Sequence, residues 1–351
     1  MKTFVKVLGV LLLLLIAAFL FARHWLFSWD EISPPELPGV TENGVLVHQG
    51  HDRQWLSYVP ASKTNRPPLL LFFRGSGADG AMARSGTFYS FDVLAERHGF
   101  VVVYPTGYEN HWNGCRKAAT YSANRQNIDD VGYIRNLVAE MVDRYDVDPD
   151  RVFAAGMSNG GHMVYRLAFE APDLLAGAAS VMANLPTPAN SGCRASGEPV
   201  PMLILTGTED AINPYQGGEV EVYGESRGAV QSALDSARYW AGLAGYQDEG
   251  QSRIWPESSP DDGTSIESLS WNASGQPAVT LVTVKGGGHT FPHPVYSGPR
   301  ILGRSSHEVD AAALVWSFVS SYPEGRAAAV RCGVRRRRRG GGGGHRVSGA
   351  P

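Results

Sequence analysis

The chain has 351 residues, 43% of them hydrophobic, with 3 cysteines and a formal net charge of −3. That small charge excludes a general attraction to nucleic acid or to a strongly acidic partner. The cysteines are too few for a disulfide scaffold and match no zinc spacing, and the length suits one large core.

Residues 1–27 carry Lys2 and Lys6, an apolar run from Val7 to Ala22, and then Arg23 and His24. The run lies between a signal h-region and a full membrane span. Leu20, two places before Ala22, is a poor match to the small residues of a cleavage site. The segment therefore reads as an uncleaved membrane anchor in preference to a cleaved signal peptide. The two lysines keep the N-terminus in the cytoplasm, so either reading exports the rest to the periplasm or the exterior. An uncleaved segment would tie the chain to the membrane.

Residues 28–41 include Ser-Pro-Pro-Glu-Leu-Pro at 33–38 and read as a stiff linker. One folded domain is expected over 42–323. It opens with a hairpin of 45–48 and 54–59, with Gly50 and Asp52 near the turn. The unbroken apolar run 69–73 suits a strand buried on both faces. A helix over 88–98 ends at Gly99, a strand follows at 100–104, and 106–127 is a long polar loop. Residues 129–145 form an amphipathic helix with Asp129 and Asp130 in its first turn.

A strand at 152–155 leads into a second helix. Strands follow at 175–182 and 202–205, a helix at 229–243, strands at 268–271 and 279–284, and a closing helix at 309–319. This alternation predicts an α/β fold with a doubly wound, mostly parallel sheet. Residues 324–351, with five arginines at 335–339 and five glycines at 340–344, lack apolar periodicity and read as a disordered tail. Cys115 and Cys193 would be a bridge in an exported protein or two buried thiols otherwise.

Gly-Met-Ser-Asn-Gly at 156–160 fits G-x-S-x-G, the nucleophile elbow of the α/β-hydrolase fold. A serine on so tight a turn leaves no room for side chains two residues away, and Gly156 and Gly160 remove them. The turn lifts the Ser158 hydroxyl off the sheet and sets the Asn159 N–H at a helix N-terminus.

A serine needs a histidine to take its proton and a carboxylate to hold that histidine. In this fold the order is serine, acid, histidine. Asp210 follows the 202–205 strand, and His289 follows the 279–284 strand through Gly286–Gly288. Glu209 is the second choice of acid. His293 and His307 do not directly follow a strand, and His162 reads as filler on a helix. The second oxyanion donor is expected from Ser76, in the loop after the 69–73 strand.

Several motifs together resemble the polyhydroxybutyrate depolymerase and feruloyl esterase type of α/β-hydrolase, close to carbohydrate esterase family 1. They are Trp112-Asn113, Asp129-Asp130 with Tyr133, Tyr145 with Pro149, Gly156–Gly161, Gly207–Asp210 with Pro214–Gly218, and Gly287–Pro292. The resemblance covers about 42–322 and implies Ser158 as nucleophile, Asp210 as acid and His289 as base, as the chain order does. Two positions depart from it. Arg74-Gly75-Ser76 stands where the family has His-Gly-Cys, and Thr206 stands where a histidine is common.

The expected chemistry is ester hydrolysis through an acyl-enzyme, with no metal or cofactor. The substrate expected from the resemblance is a short polyester oligomer or an acylated saccharide. Trp112, Tyr215 and Phe291 stand near the expected mouth, either to line it or as ordinary packing. Two other readings remain: a non-catalytic, membrane-anchored binding protein of this fold, and a serine peptidase.

Overall fold

The computed structural model describes residues 2–30, 32–222 and 224–322, apart from the side chains of Lys2, Thr3 and Val5. The expected tail at 324–351 lies outside the described residues. The chain begins with α1 (Lys2–Phe27), then the hairpin β1 (Val40–His48) and β2 (His51–Val59). Next come β3 (Leu69–Phe73), α2 (Gly80–Gly86), α3 (Ser90–His98), β4 (Val101–Pro105), α4 (Ser122–Arg125) and α5 (Asp130–Tyr145). The middle holds β5 (Val152–Met157), α6 (Asn159–Glu170), β6 (Gly177–Val181), β7 (Met202–Gly207), β8 (Gly218–Val222) and β9 (Glu225–Val230). The last elements are α7 (Ala233–Leu243), β10 (Gln251–Ile254), β11 (Ser265–Trp271), β12 (Val279–Lys285) and α8 (Ala311–Ser320).

Ten strands form one sheet in the order β1-β2-β4-β3-β5-β6-β7-β12-β11-β10. The central six, β4 to β12, run parallel. Antiparallel strands flank them at both edges. The expected α/β-hydrolase arrangement, a doubly wound and mostly parallel sheet, is what the chain adopts.

All five side chains of β3 are fully buried, Leu69 to Phe73 at 0% exposure. Each contributes about 1.5–3 kcal/mol by leaving water. They alternate between two apolar layers. One layer packs Leu69, Leu71 and Phe73 with Leu137 and Met141 of α5, Met163 and Leu167 of α6 and Trp240 of α7. The other packs Leu70 and Phe72 with Phe91 and Leu94 of α3 and Val315 of α8. At the outer edge β10 is exposed along its length and carries Gln251 and Arg253, which discourages further strand pairing.

Some elements differ from the sequence expectation, each for a local reason. β1 starts at Val40, ahead of the expected residue 45, and pairs with β2 in continuous register. Gly44 interrupts its apolar alternation because a Cβ there would stand 2.0 Å from the Trp55 ring. α2 was absent from the expectation because Gly-Ala-Met-Ala-Arg-Ser-Gly has little apolar periodicity. Its start is set by Asp79, whose side chain accepts the Met82 N–H. The helix expected at 229–243 starts at Ala233, where the Ser232 side chain accepts the Asp235 N–H. Residues 229–230 instead close β9, which pairs with β8 in a small separate sheet.

α1 is long and apolar enough to cross a membrane, and none of its apolar window is buried. Its end meets the 297–300 loop. Arg300 lies over the Trp25 ring at 5.3 Å, and the Ser297 N–H donates to Asp30 at 2.7 Å.

Cys115 and Cys193 are joined by a disulfide that closes 78 residues of chain, their Cα atoms 4.9 Å apart. It fastens the long 106–127 loop beside the sheet. Replacing both cysteines by serine is expected to lower the unfolding free energy by about 2–4 kcal/mol. Urea denaturation of the two proteins under oxidising conditions checks this, and coincident curves would refute it.

Candidate active site

The carboxyl ends of β5, β7 and β12 lie close together in the sheet, and each carries one of the expected side chains. Ser158 follows β5 with φ 58° and ψ −121°, a conformation non-glycine residues rarely adopt. Its N–H is held by the Val181 carbonyl at 2.9 Å, and its carbonyl accepts the His162 N–H at 3.1 Å. Ser158 occupies the N-cap position of α6, yet its hydroxyl does not cap the helix. The group that would ordinarily satisfy a helix N–H is left for chemistry.

Close packing enforces the turn. A Cβ on Gly160 would stand 2.0 Å from the Phe73 carbonyl oxygen, and one on Gly156 would stand 2.5 Å from the Gly160 carbonyl oxygen. A Cβ on Gly75 would come within 3.1 Å of the Ser158 Cβ. The loop after β3 therefore presses directly on the serine.

The Asn159 side chain serves as a brace that the sequence reading did not assign. It accepts the Trp112 N–H at 2.7 Å and donates to the Trp112 carbonyl at 3.1 Å. The neighbouring Asn113 N–H donates to Asp130 at 2.7 Å, and Asp130 pairs with buried Arg53 at 2.6 Å. The Trp112-Asn113 and Asp129-Asp130 motifs thus tie the long loop to the elbow. Pairing of this kind is the signal that links two distant polar motifs.

Asp210 and His289 meet directly. The imidazole Nδ1 lies 2.7 Å from Asp210 Oδ2, with both side chains buried. The other carboxylate oxygen accepts the N–H groups of Ile212 at 2.9 Å and Asn213 at 2.8 Å. A carboxylate only accepts, so Nδ1 carries the hydrogen and Nε2 is the basic nitrogen. Glu209, the second choice, is exposed. His293 instead accepts N–H groups of Val295 and Tyr296 at Nδ1, and His307 lies on the His293 carbonyl at 2.8 Å.

The glycines before His289 form a packed loop. A Cβ on Gly288 would stand 2.3 Å from the Leu302 carbonyl oxygen, and the His289 N–H donates to that same carbonyl at 2.6 Å. Among the described residues Ser158 Oγ forms no hydrogen bond.

At the oxyanion side, Asn159 is the first residue of α6, ahead of the first intrahelical bond. Ser76 sits beside Gly75 in the pressing loop, and its hydroxyl bonds Tyr121 Oη at 2.8 Å. Arg74, at the departure from His-Gly-Cys, turns its guanidinium to Met157 Sδ at 3.1 Å. Burial pulls its pKa below the ordinary arginine value. Among the described residues no group of three or more His, Cys, Asp or Glu side chains is placed to hold a metal.

Residues 54–186, which contain the elbow, match the protein family Esterase PHB depolymerase. The chain has the α/β-hydrolase fold, and it resembles the polyhydroxybutyrate depolymerase and feruloyl esterase group. NocK of Nocardia uniformis subsp. tsuyamanensis, assigned as an esterase, is 28% identical over 74% of this chain and 76% of its own. Feruloyl esterase B of Piromyces equi is 31% identical over 46% of this chain and 29% of its own. An acetylxylan esterase of Coprinopsis cinerea is 34% identical over 40% and 38% respectively. The chain thus spans three quarters of the first relative but well under half of the other two. An acetyl xylan esterase from Aspergillus awamori superposes with a TM-score of 0.51 at 18% identity, covering 72% of this chain and 95% of that one, which shows the shared fold.

Of the three aromatic residues expected near the mouth, Trp112 and Phe291 take the packing alternative. Trp112 is 1% exposed and packs edge-on against Phe73, with ring centroids 5.1 Å apart. Its indole fills the core under the loop that its backbone braces. Phe291 is 4% exposed and packs against Phe72 and Phe91. Tyr215 is half-buried, with its hydroxyl 3.0 Å from Thr283 Oγ1. Sequence position placed these residues near the catalytic end but did not give their direction.

His162, one turn into α6, is 1% exposed, and its Nδ1 has no hydrogen-bond partner among the described residues. Burial first, and then the charges of Arg116 and His289, hold its pKa well below the ordinary imidazole value. The native state keeps His162 neutral where the unfolded chain takes up a proton. Its contribution to stability is therefore present above about pH 6.5 and lost progressively below it. His162→Asn is expected to flatten the fall in unfolding free energy between about pH 7 and about pH 5. Urea unfolding across that range checks this, and identical slopes in both proteins would contradict it.

Proposed function

We propose that this hydrolase cleaves carboxylic esters through a covalent acyl-enzyme on Ser158, exported and held at, or released from, a membrane by residues 1–27. Residues 28–41 act as linker and 42–323 as the catalytic domain. The observation that carries the reading is the Asp210–His289 bond at 2.7 Å, at the same end of the sheet as a serine held in a strained turn.

In the first step His289 Nε2 takes the Ser158 proton while Oγ attacks the ester carbonyl carbon. The carbonyl π electrons move to oxygen, which the N–H groups of Asn159 and Ser76 receive. The C–O bond to the alcohol then breaks, and the leaving oxygen takes the proton from the imidazolium. Asp210 holds the ring orientation and stabilises its charge throughout. In the second step water, deprotonated by His289, attacks the acyl carbon and restores the serine.

The feruloyl and acetylxylan esterases among the relatives, and the matched family, support a substrate in which a small acyl group is joined to a saccharide, or a short polyester oligomer. The disulfide supports an oxidising compartment. The buried Trp112 and Phe291 favour small, soluble esters over recognition through an aromatic platform.

Turnover of 4-nitrophenyl acetate and butyrate by the full chain in detergent tests the reading. Ser158→Ala is expected to lower kcat by about 10⁶, and Asp210→Asn by about 10⁴. A Ser158→Ala rate equal to that of the wild type would overturn it.

A further inference from the structure

Two buried arginines flank the oxyanion loop, and the mechanism uses neither. Tyr121 is 7% exposed, and its hydroxyl bonds Ser76 Oγ at 2.8 Å, one link from the oxyanion donor. Arg227, on β9, lays its guanidinium over the Tyr121 ring, 4.7 Å from the centroid. His111 stacks on the same ring, with centroids 4.3 Å apart. Arg116 is hydrogen-bonded to the Tyr121 hydroxyl and lies near enough to Arg227 and His162 for their charges to interact. The two arginines are 4% and 5% exposed.

The charges of this cluster do not balance. Arg227 Nη1 pairs with Glu225 at 2.8 Å, but that carboxylate is 64% exposed and already solvated. Arg227 Nε has no acceptor among the described residues. Arg116 forms no ion pair with any described residue, and burial pulls its pKa below the ordinary arginine value. Two guanidinium groups withdrawn from water against one solvated carboxylate leave an uncompensated charge, an arrangement that is costly without a further anion. The Arg116 backbone is nevertheless fixed, beside the Cys115–Cys193 disulfide and paired with Ser191. A rigidly mounted guanidinium with no carboxylate partner, one residue away from the oxyanion loop, is suited to bind a carboxylate.

We propose that Arg116 and Arg227 form a carboxylate-binding subsite, and that the preferred substrate is an ester bearing a free carboxylate near the scissile bond. This rests on the ester-hydrolase reading. A half-ester of a dicarboxylic acid presents the charge on the acyl side, and an O-acylated hydroxy acid presents it on the alcohol side. Neutral esters of the same size leave the guanidinium groups unmatched.

The test compares monomethyl with dimethyl glutarate, and 3-acetoxybutyrate with its methyl ester, on the full chain in detergent. The wild type is expected to favour the anionic member of at least one pair by about 10–100-fold in kcat/KM, chiefly through KM. That ratio is expected to collapse in Arg116→Met and to fall in Arg227→Gln, the second variant in case the first does not fold. Cleavage of neutral esters with no anionic preference in either pair would overturn the subsite while leaving the esterase reading intact. If no ester is cleaved, the esterase reading fails, and calorimetric titration of glutarate into the Ser158→Ala chain decides the subsite separately. Binding that is lost on adding Arg116→Met or Arg227→Gln supports it, and no binding at all overturns it.

Discussion

The backbone of Ser158 is the constraint on which the catalytic end depends. A residue held at φ 58° and ψ −121° stores about 1–3 kcal/mol that its surroundings must over-determine. They do so by contact. The Phe73 carbonyl occupies the space a side chain on Gly160 would need, and the loop after β3 lies against Ser158 through Gly75. A fully buried β3 supplies the rigid wall for both contacts. The strain places the hydroxyl proud of the sheet, and the same turn starts α6 so that its free N–H groups face the same side. The proposed nucleophile and the proposed oxyanion donor are two consequences of one turn.

The second dependence is on strand order. Ser158, Asp210 and His289 lie far apart in sequence, but β5, β6, β7 and β12 are consecutive in the sheet. Parallel strands bring all their carboxyl ends to one rim, which is why ligands in open α/β sheets gather there. Burying a charged carboxylate is costly unless its oxygens are satisfied, and Asp210 receives three N–H groups at 2.7–2.9 Å. The Gly287 and Gly288 backbone packs against Gly207 and Leu302, so His289 stands on a fixed loop rather than a hinge.

Much of this was legible in the sequence because it is local or topological. The G-x-S-x-G spacing states a steric requirement, and the continuous apolar run of β3 states burial on both faces. The order of Asp210 and His289 after their strands follows from how such sheets are wound. What the sequence withheld depends on direction. Trp112 and Phe291 are large aromatics near the catalytic end, yet both turn inward, because a loop's path decides which way its side chains point. α2 and the β8–β9 ribbon carry too little apolar periodicity to register. The Asn159–Trp112 brace and the Tyr121 cluster join residues far apart in sequence and have no local signature.

The central claim is that one strained serine, served by one buried histidine, is the nucleophile. Treating the chain with a fluorophosphonate and mapping the adduct by peptide mass tests it most directly. The account predicts a phosphonyl mass increment on the tryptic peptide 152–166, at Ser158, formed rapidly in the wild type and very slowly in His289→Ala. Labelling at another residue, or equally fast labelling of both proteins, would contradict it.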